Sequence, residues 1–269
     1  MERLWHRRSA IRMRDHWYCS PECLESAMAP IFQDLISRPD QRIRHRIPLG
    51  LLLLARGYLN STQLRAGLEA QRRARQGKIG HWLQELDFVT EQQVITTLGL
   101  QWGCPVLAFP SGFDVRLRKW IPEPLLEALG MMPVRFVAPT QVLYVAVCAQ
   151  VEHAALYAME RMLECRAVAC LISDRAMAEL REQGPRLGGI TSQLFERLSS
   201  ANEMASITAS YAGRLTAEEV RIELCGPYLW VRLQSAPGHT HLLFRRQSGS
   251  AFGLRAPRVK SATGMSISP

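Results

Sequence analysis

What most narrows the folds open to this chain is that part of it occurs twice. Displaced by 30 residues, "LGLLLLARGYLNSTQLRAGLEAQ" (Leu49 to Gln71) lies over "IGHWLQELDFVTEQQVITTLGLQ" (Ile79 to Gln101). Gly50, Leu53, Gln63, Leu68 and Gln71 fall on Gly80, Leu83, Gln93, Leu98 and Gln101. Leu49, Tyr58, Leu59 and Leu64 fall on Ile79, Phe88, Val89 and Val94. A unit that recurs with its apolar positions and its glutamines in step is one supersecondary element used twice.

Each copy reads as a short helix, a tight turn and a longer helix. Asn60 and Thr90 are N-cap residues, and Gln63 and Gln93 stand three residues later, where a side-chain amide reaches back to the cap. Leu59 with Leu64, and Val89 with Val94, have the spacing of a hydrophobic staple. Gly57 ends the first short helix where a left-handed residue is wanted, and Asp87 occupies that place in the second copy. In the longer helices Leu64, Leu68 and Gln71 share one face, as do Val94, Leu98 and Gln101. Helical spacing leaves two roles open for these stripes: core edged by a glutamine, or the lining of a binding site.

The pattern, an L-G step, apolar positions, a glycine turn, an apolar pair and then L-x-x-x-L-x-x-Q, resembles the N-terminal domain of type II secretion and type IV pilus assembly ATPases, the GspE N-terminal or MshEN type. The resemblance covers Pro48 to Gln101 at motif level and continues more loosely to about Gln183. It implies that the tandem copies bind cyclic di-GMP, each holding half of the dinucleotide through apolar contacts and backbone groups. The residues it points to are Leu49, Gly50, Leu53, Gly57, Leu64, Leu68 and Gln71 in the first copy, and Lys78, Ile79, Gly80, Leu83, Val94, Leu98 and Gln101 in the second. The family opens each motif with arginine, whereas this chain has Pro48 and Lys78, with Arg46 two residues upstream of the proline as a substitute. Asp87 is expected to bring a carboxylate close to the anion, so binding weaker than in an intact family member follows.

No G-x-x-x-x-G-K-[ST] loop, G-x-S-x-G or H-E-x-x-H stretch occurs, so neither the family's motor nor hydrolase or metalloprotease chemistry is encoded. The expected role is non-catalytic: a regulatory or adaptor protein whose partner, by the resemblance, belongs to a secretion or pilus machine. The alternative is a structural interaction module with a decayed nucleotide site.

The uncharged run Ile47 to Ala55 is far short of the ~20 apolar residues a bilayer helix needs. The amino terminus is basic and lacks an apolar stretch, so a cytoplasmic protein without membrane insertion is expected. The formal charge of +9 attracts anions without choosing among them. "RRARQGK" and "RIRHR" lack interleaved aromatics, so nucleic acid is not expected as a partner. Seven cysteines, an odd and scattered set, argue for reduced thiols. In "RDHWYCSPECLESAM", Cys19 and Cys23 with His16 resemble half of a treble-clef knuckle for Zn2+, the other reading being two reduced cysteines that pack.

After Cys104 the pattern alternates between strands and helices, giving an α/β (α+β) chain. The expected division is a cysteine-containing lead (1–44), a GspE N-terminal-like domain (45–183) with helical repeats at 48–71 and 78–101 and an α/β part at 104–183, a linker (184–193), an αβββ module (194–252) and a disordered tail (253–269). Alternation in "YLWVRLQ" puts Leu229, Val231 and Leu233 on an apolar face and Tyr228, Trp230, Arg232 and Gln234 on the other, which is either a contact surface or a solvated face.

Overall fold

The computed structural model describes residues 10–38, 46–107, 113–148, 150–183, 191–197 and 200–246. The amino-terminal strands β1 (Ile11–Met13) and β2 (His16–Tyr18) form a hairpin. It leads into α1 (Pro21–Ser37), which Ser20 caps by accepting the Cys23 N–H at 3.3 Å, with proline at its first position. The repeat follows as α2 (Leu49–Ala55), α3 (Ser61–Ala74), α4 (Ile79–Glu85) and α5 (Glu91–Trp102).

A 3-10 turn (Val115–Trp120) and α6 (Glu123–Leu129) then introduce β3 (Met131–Val137), β4 (Val142–Val147), α7 (His153–Leu163), β5 (Arg166–Leu171) and α8 (Asp174–Gln183). The last part is β6 (Thr191–Phe195), α9 (Ala201–Arg214), β7 (Glu219–Cys225), β8 (Tyr228–Ser235) and β9 (Gly238–Arg245). Two sheets result, β3-β4-β5 and β2-β1-β7-β8-β9-β6, so the chain is α+β.

The larger sheet draws on both ends of the sequence. β1 pairs in parallel with β7, and α1 packs with α9 on one face through Leu24, Met28, Phe32, Met204, Ala205 and Ala212. The cysteine-bearing lead and the αβββ segment therefore share one sheet and one core, with the repeat and α/β part between them in sequence. Strands of three residues, "IRM" and "HWY", are too short to show alternation, which is why the hairpin has no sequence signature. Thr191 to Gln193, placed in the linker from sequence, open β6, which pairs in parallel with β9. Residues 184–190 and the tail 253–269 lie outside the described residues, as do Ala108 and Phe109 of the expected strand "CPVLAF". Of that strand, Val106 forms a bridge to Leu171.

β8 separates its faces as alternation predicts. Leu229, Val231 and Leu233 are buried toward α1 and α9, while Tyr228 and Trp230 join the core of the α/β part. The second face is thus neither solvated nor free: the protein's own α/β part covers it. Trp230 Nε1 donates to His241 Nδ1 at 2.8 Å, and burial pushes His241 down to about 3, holding it neutral and able to accept. Arg221 donates to the Arg161 carbonyl at 3.1 Å and Arg232 to the Met162 carbonyl, so two guanidinium groups satisfy orphan carbonyls at the negative end of α7. At the other side of the α/β part, Ile95 and Gly99 of α5 lean on β5, where a Cβ on Gly99 would stand 2.8 Å from Val106.

Candidate functional site

The repeat builds its two copies with the local chemistry the sequence calls for. Asn60 and Thr90 accept the N–H of Gln63 and Gln93, whose side chains accept the cap N–H in return at 2.9 and 2.8 Å. Both turns are left-handed, Gly57 at φ 71° and Asp87 at φ 53°. Leu53, Leu59, Leu83, Val89 and Val94 form the shared core.

How the copies meet follows from two hydrogen bonds. Gln71, at the end of α3, donates to the Gly77 carbonyl at 2.9 Å, directly before Lys78 and α4. Gln101, at the end of α5, donates to the Ile47 carbonyl at 2.6 Å, directly before Pro48 and α2. Each glutamine thus holds the opening of the other copy's short helix, and α3 lies against α4 as α2 lies against α5. Reciprocal exchange of this kind is what a local two-fold relation produces, whereas a stacked repeat would pass the contact in one direction only. The glutamines do more than edge a core; they close the pair.

Two equivalent openings result. At the first, Arg46 donates to the Gln101 carbonyl at 2.6 Å and its guanidinium lies 4.0 Å over the Trp102 ring. Pro48 begins α2 without a side-chain cap, and Ile47, Leu51 and Leu100 are exposed around it. At the second, Lys78 is the exposed N-cap of α4, with no carboxylate of the described residues within ion-pair distance. Gly77, His81 and Ala70 stand where the first has Ile47, Leu51 and Leu100. Lys78 also lies close enough to Cys148 to draw its thiol down, although burial, with Asp174 beside it, pushes that thiol up overall.

The residues singled out from sequence divide between the openings and the core. Arg46, Leu49, Gln71, Lys78, Ile79 and Gln101 stand at the openings. Leu64 and Leu98 are half-buried beside the core and Leu68 is exposed on α3. Leu53, Leu83 and Val94 are core, and Gly50 and Gly80 are buried. A Cβ on Gly50 would meet Leu64 Cδ1 at 2.6 Å, and one on Gly80 would meet Val94 at 3.1 Å and Leu49 at 3.3 Å. These glycines let helices approach one another, so a bulky residue there breaks packing before it fills any ligand space. Gly57 and Asp87 lie beyond the far ends of α2 and α4, eight residues from the openings, roughly 12 Å at helical rise. The Asp87 carboxylate is therefore not beside an anion held at the openings. Sequence reasoning did not single out Trp102, Ile47, Leu51 and Leu100, which stand at the first opening; the apolar residues flanking the first motif were the available signal.

Solved structures similar to this chain include one described as MshE with cdg, 21% identical, with a TM-score of 0.44, over 52% of this chain and 100% of that chain. Two structures of the N-terminal domain of XpsE are 18% and 17% identical, with TM-scores of 0.33 and 0.29, over 52% and 49% of this chain and 97% and 91% of theirs. These matches cover about half of this chain. No protein-family model matches the sequence, and no curated protein matches it.

Cys19 and Cys23 are brought together with Sγ atoms 3.4 Å apart, both exposed. His16 does not join them: it is exposed on β2, and no group of three or more His, Cys, Asp or Glu suited to a metal occurs among the described residues. A tetrahedral Zn2+ knuckle is thus not assembled by the residues named for it. No helix among the described residues is long and apolar enough to cross a membrane.

Proposed function

We propose that this chain is a non-catalytic regulatory or adaptor protein that binds cyclic di-GMP across the two openings of its repeat. The observation that carries this is the reciprocal pair of bonds, Gln71 to the Gly77 carbonyl and Gln101 to the Ile47 carbonyl, which sets two equivalent openings about a local two-fold relation. A cyclic dinucleotide is itself two-fold, with two phosphates and two bases, so equivalent groups meet equivalent halves. Each opening carries one cation, Arg46 or Lys78, for a phosphate. Apolar side chains are exposed at the first opening to receive a base. Arg46 is already tied to Gln101 and Trp102, and Pro48 supplies no charge, so binding is weak, in the micromolar range or above.

Titration calorimetry of the chain with cyclic di-GMP tests this. Saturable binding of one dinucleotide per chain, competed by no mononucleotide at equal concentration, supports it. Heats indistinguishable from dilution at millimolar ligand overturn it. A purely structural module that docks a protein of a secretion or pilus machine is favoured by a different observation: four of the exposed large apolar side chains, Leu51, Leu68, Leu86 and Leu100, lie on the repeat, and a fifth, Ile47, directly precedes it.

A further inference from the structure

The exposed thiols at the junction of β2 and α1 form a built pair. Cys19 precedes the N-cap Ser20, and Cys23 is the third residue of α1, where its N–H is held by Ser20 Oγ at 3.3 Å. Pro21 fixes the first turn and packs toward α9, since a Cβ on Gly213 would meet Pro21 Cγ at 3.1 Å. Within this turn the two Sγ atoms touch at 3.4 Å, which brings them into contact ahead of the ~2.05 Å bond of a disulfide.

The other five cysteines stand apart from this. Cys104 and Cys148 are half-buried, and Cys165, Cys170 and Cys225 are buried. Burial pushes the thiols of Cys170 and Cys225 up to about 12, which removes the thiolate that reaction needs. Only Cys19 and Cys23 are exposed. Among the described residues no third ligand stands beside them, and the contact between the two sulfurs is what the arrangement offers to two-thiol chemistry.

We propose that Cys19 and Cys23 are a dithiol modification site that undergoes thiol–disulfide exchange with small-molecule disulfides, closing to an intramolecular disulfide across the first turn of α1. One thiol, as thiolate, attacks a disulfide of the glutathione class, forms a mixed disulfide and expels one reduced thiol. The second thiolate then attacks the protein sulfur of that mixed disulfide and expels the other reduced thiol. The two protein thiol protons end on the two released thiols, and the two electrons lost by the cysteine pair reduce the small disulfide.

Intact-mass and peptide mapping of the folded, chelator-treated chain in glutathione buffers of increasing oxidation test this. Expected are loss of two hydrogens per chain, one cross-linked peptide carrying Cys19 and Cys23, and five free thiols on denaturation. Cys23→Ser and Cys19→Ser, at exposed positions that leave the fold intact by circular dichroism, should instead stop at the mixed disulfide with one added glutathione. Finding both cysteines free, or each separately glutathionylated in the natural chain under buffers that oxidise a model dithiol, overturns the proposal. Neither outcome depends on whether cyclic di-GMP binds.

Discussion

Residues thirty apart in the repeat show where its two copies agree and where they part. Leu53 and Leu59 are buried in the first, as Leu83 and Val89 are in the second, and both carry the same capping box. On the longer helices the agreement ends: Arg65 and Glu69 are exposed on α3, while their counterparts Ile95 and Gly99 are buried on α5 against β5. Residues that hold a copy together are therefore shared, and residues that decide its neighbour differ. One copy is anchored in the domain; the other keeps its outer face for solvent or a partner.

The sharpest way to break this comparison is to shorten both counterparts. Ile95→Ala should cost ~2–4 kcal/mol, because it empties space in the core of the α/β part. Arg65→Ala should stay within ~0.5 kcal/mol, because the side chain is exposed. Urea unfolding followed by circular dichroism measures both, and equal costs would mean that α5 does not carry the docking.

The openings differ as well: the first has exposed Ile47, Leu51 and Leu100 and an arginine tied to Gln101 and Trp102, and the second has Lys78 at the N-cap of α4. Lys78→Gln should weaken cyclic di-GMP binding by about ten-fold, equivalent to ~1.4 kcal/mol, and Pro48→Arg should strengthen it by a similar factor by giving the first opening an untied cation. Calorimetry at two salt concentrations decides it; a Lys78 effect that is absent at low salt would remove this side chain from phosphate binding.

The capping boxes sharpen the agreement. Asn60→Ala and Thr90→Ala should each cost ~1 kcal/mol in thermal or urea unfolding, since each leaves the N–H of Gln63 or Gln93 without its partner. A cost at only one site would show that the two turns are not held alike.

The repeat was legible because its signals are local: a cap and its glutamine lie three residues apart, and a staple spans five. The α/β part was legible because strands such as "VLYVAV" and helices such as "HAALYAMERML" are long enough to show a period. What depends on distant partners was not. Nothing in "IRM" announces pairing with "EVRIELC" more than two hundred residues later, and nothing in Arg232 says that it will reach the Met162 carbonyl of α7. The glutamines show the limit clearly, since their spacing was visible and their partners, the carbonyls of Gly77 and Ile47 across the repeat, were not. The surroundings of Gly50 and Gly80 were hidden for the same reason: the side chains that fill the space above them come from other helices.

The smallest expected effect tests where the ligand is held. Asp87 is left-handed at φ 53°, and Gly57 occupies the matching turn at φ 71° with open space around an added Cβ. Gly57→Asp should therefore cost no more than ~1 kcal/mol, through backbone strain alone. Asp87→Gly relieves that strain but frees the unfolded chain, so its net effect on stability should stay within ~0.5 kcal/mol. Because both turns lie roughly 12 Å along their helices from Leu49 and Ile79, where α2 and α4 begin, neither change should alter cyclic di-GMP affinity by more than about two-fold at physiological salt, where a charge beyond a Debye length of ~8 Å is largely screened. Ten-fold tighter binding by Asp87→Gly would put the turn beside the phosphates, and the ligand would then run along the short helices instead of across their openings.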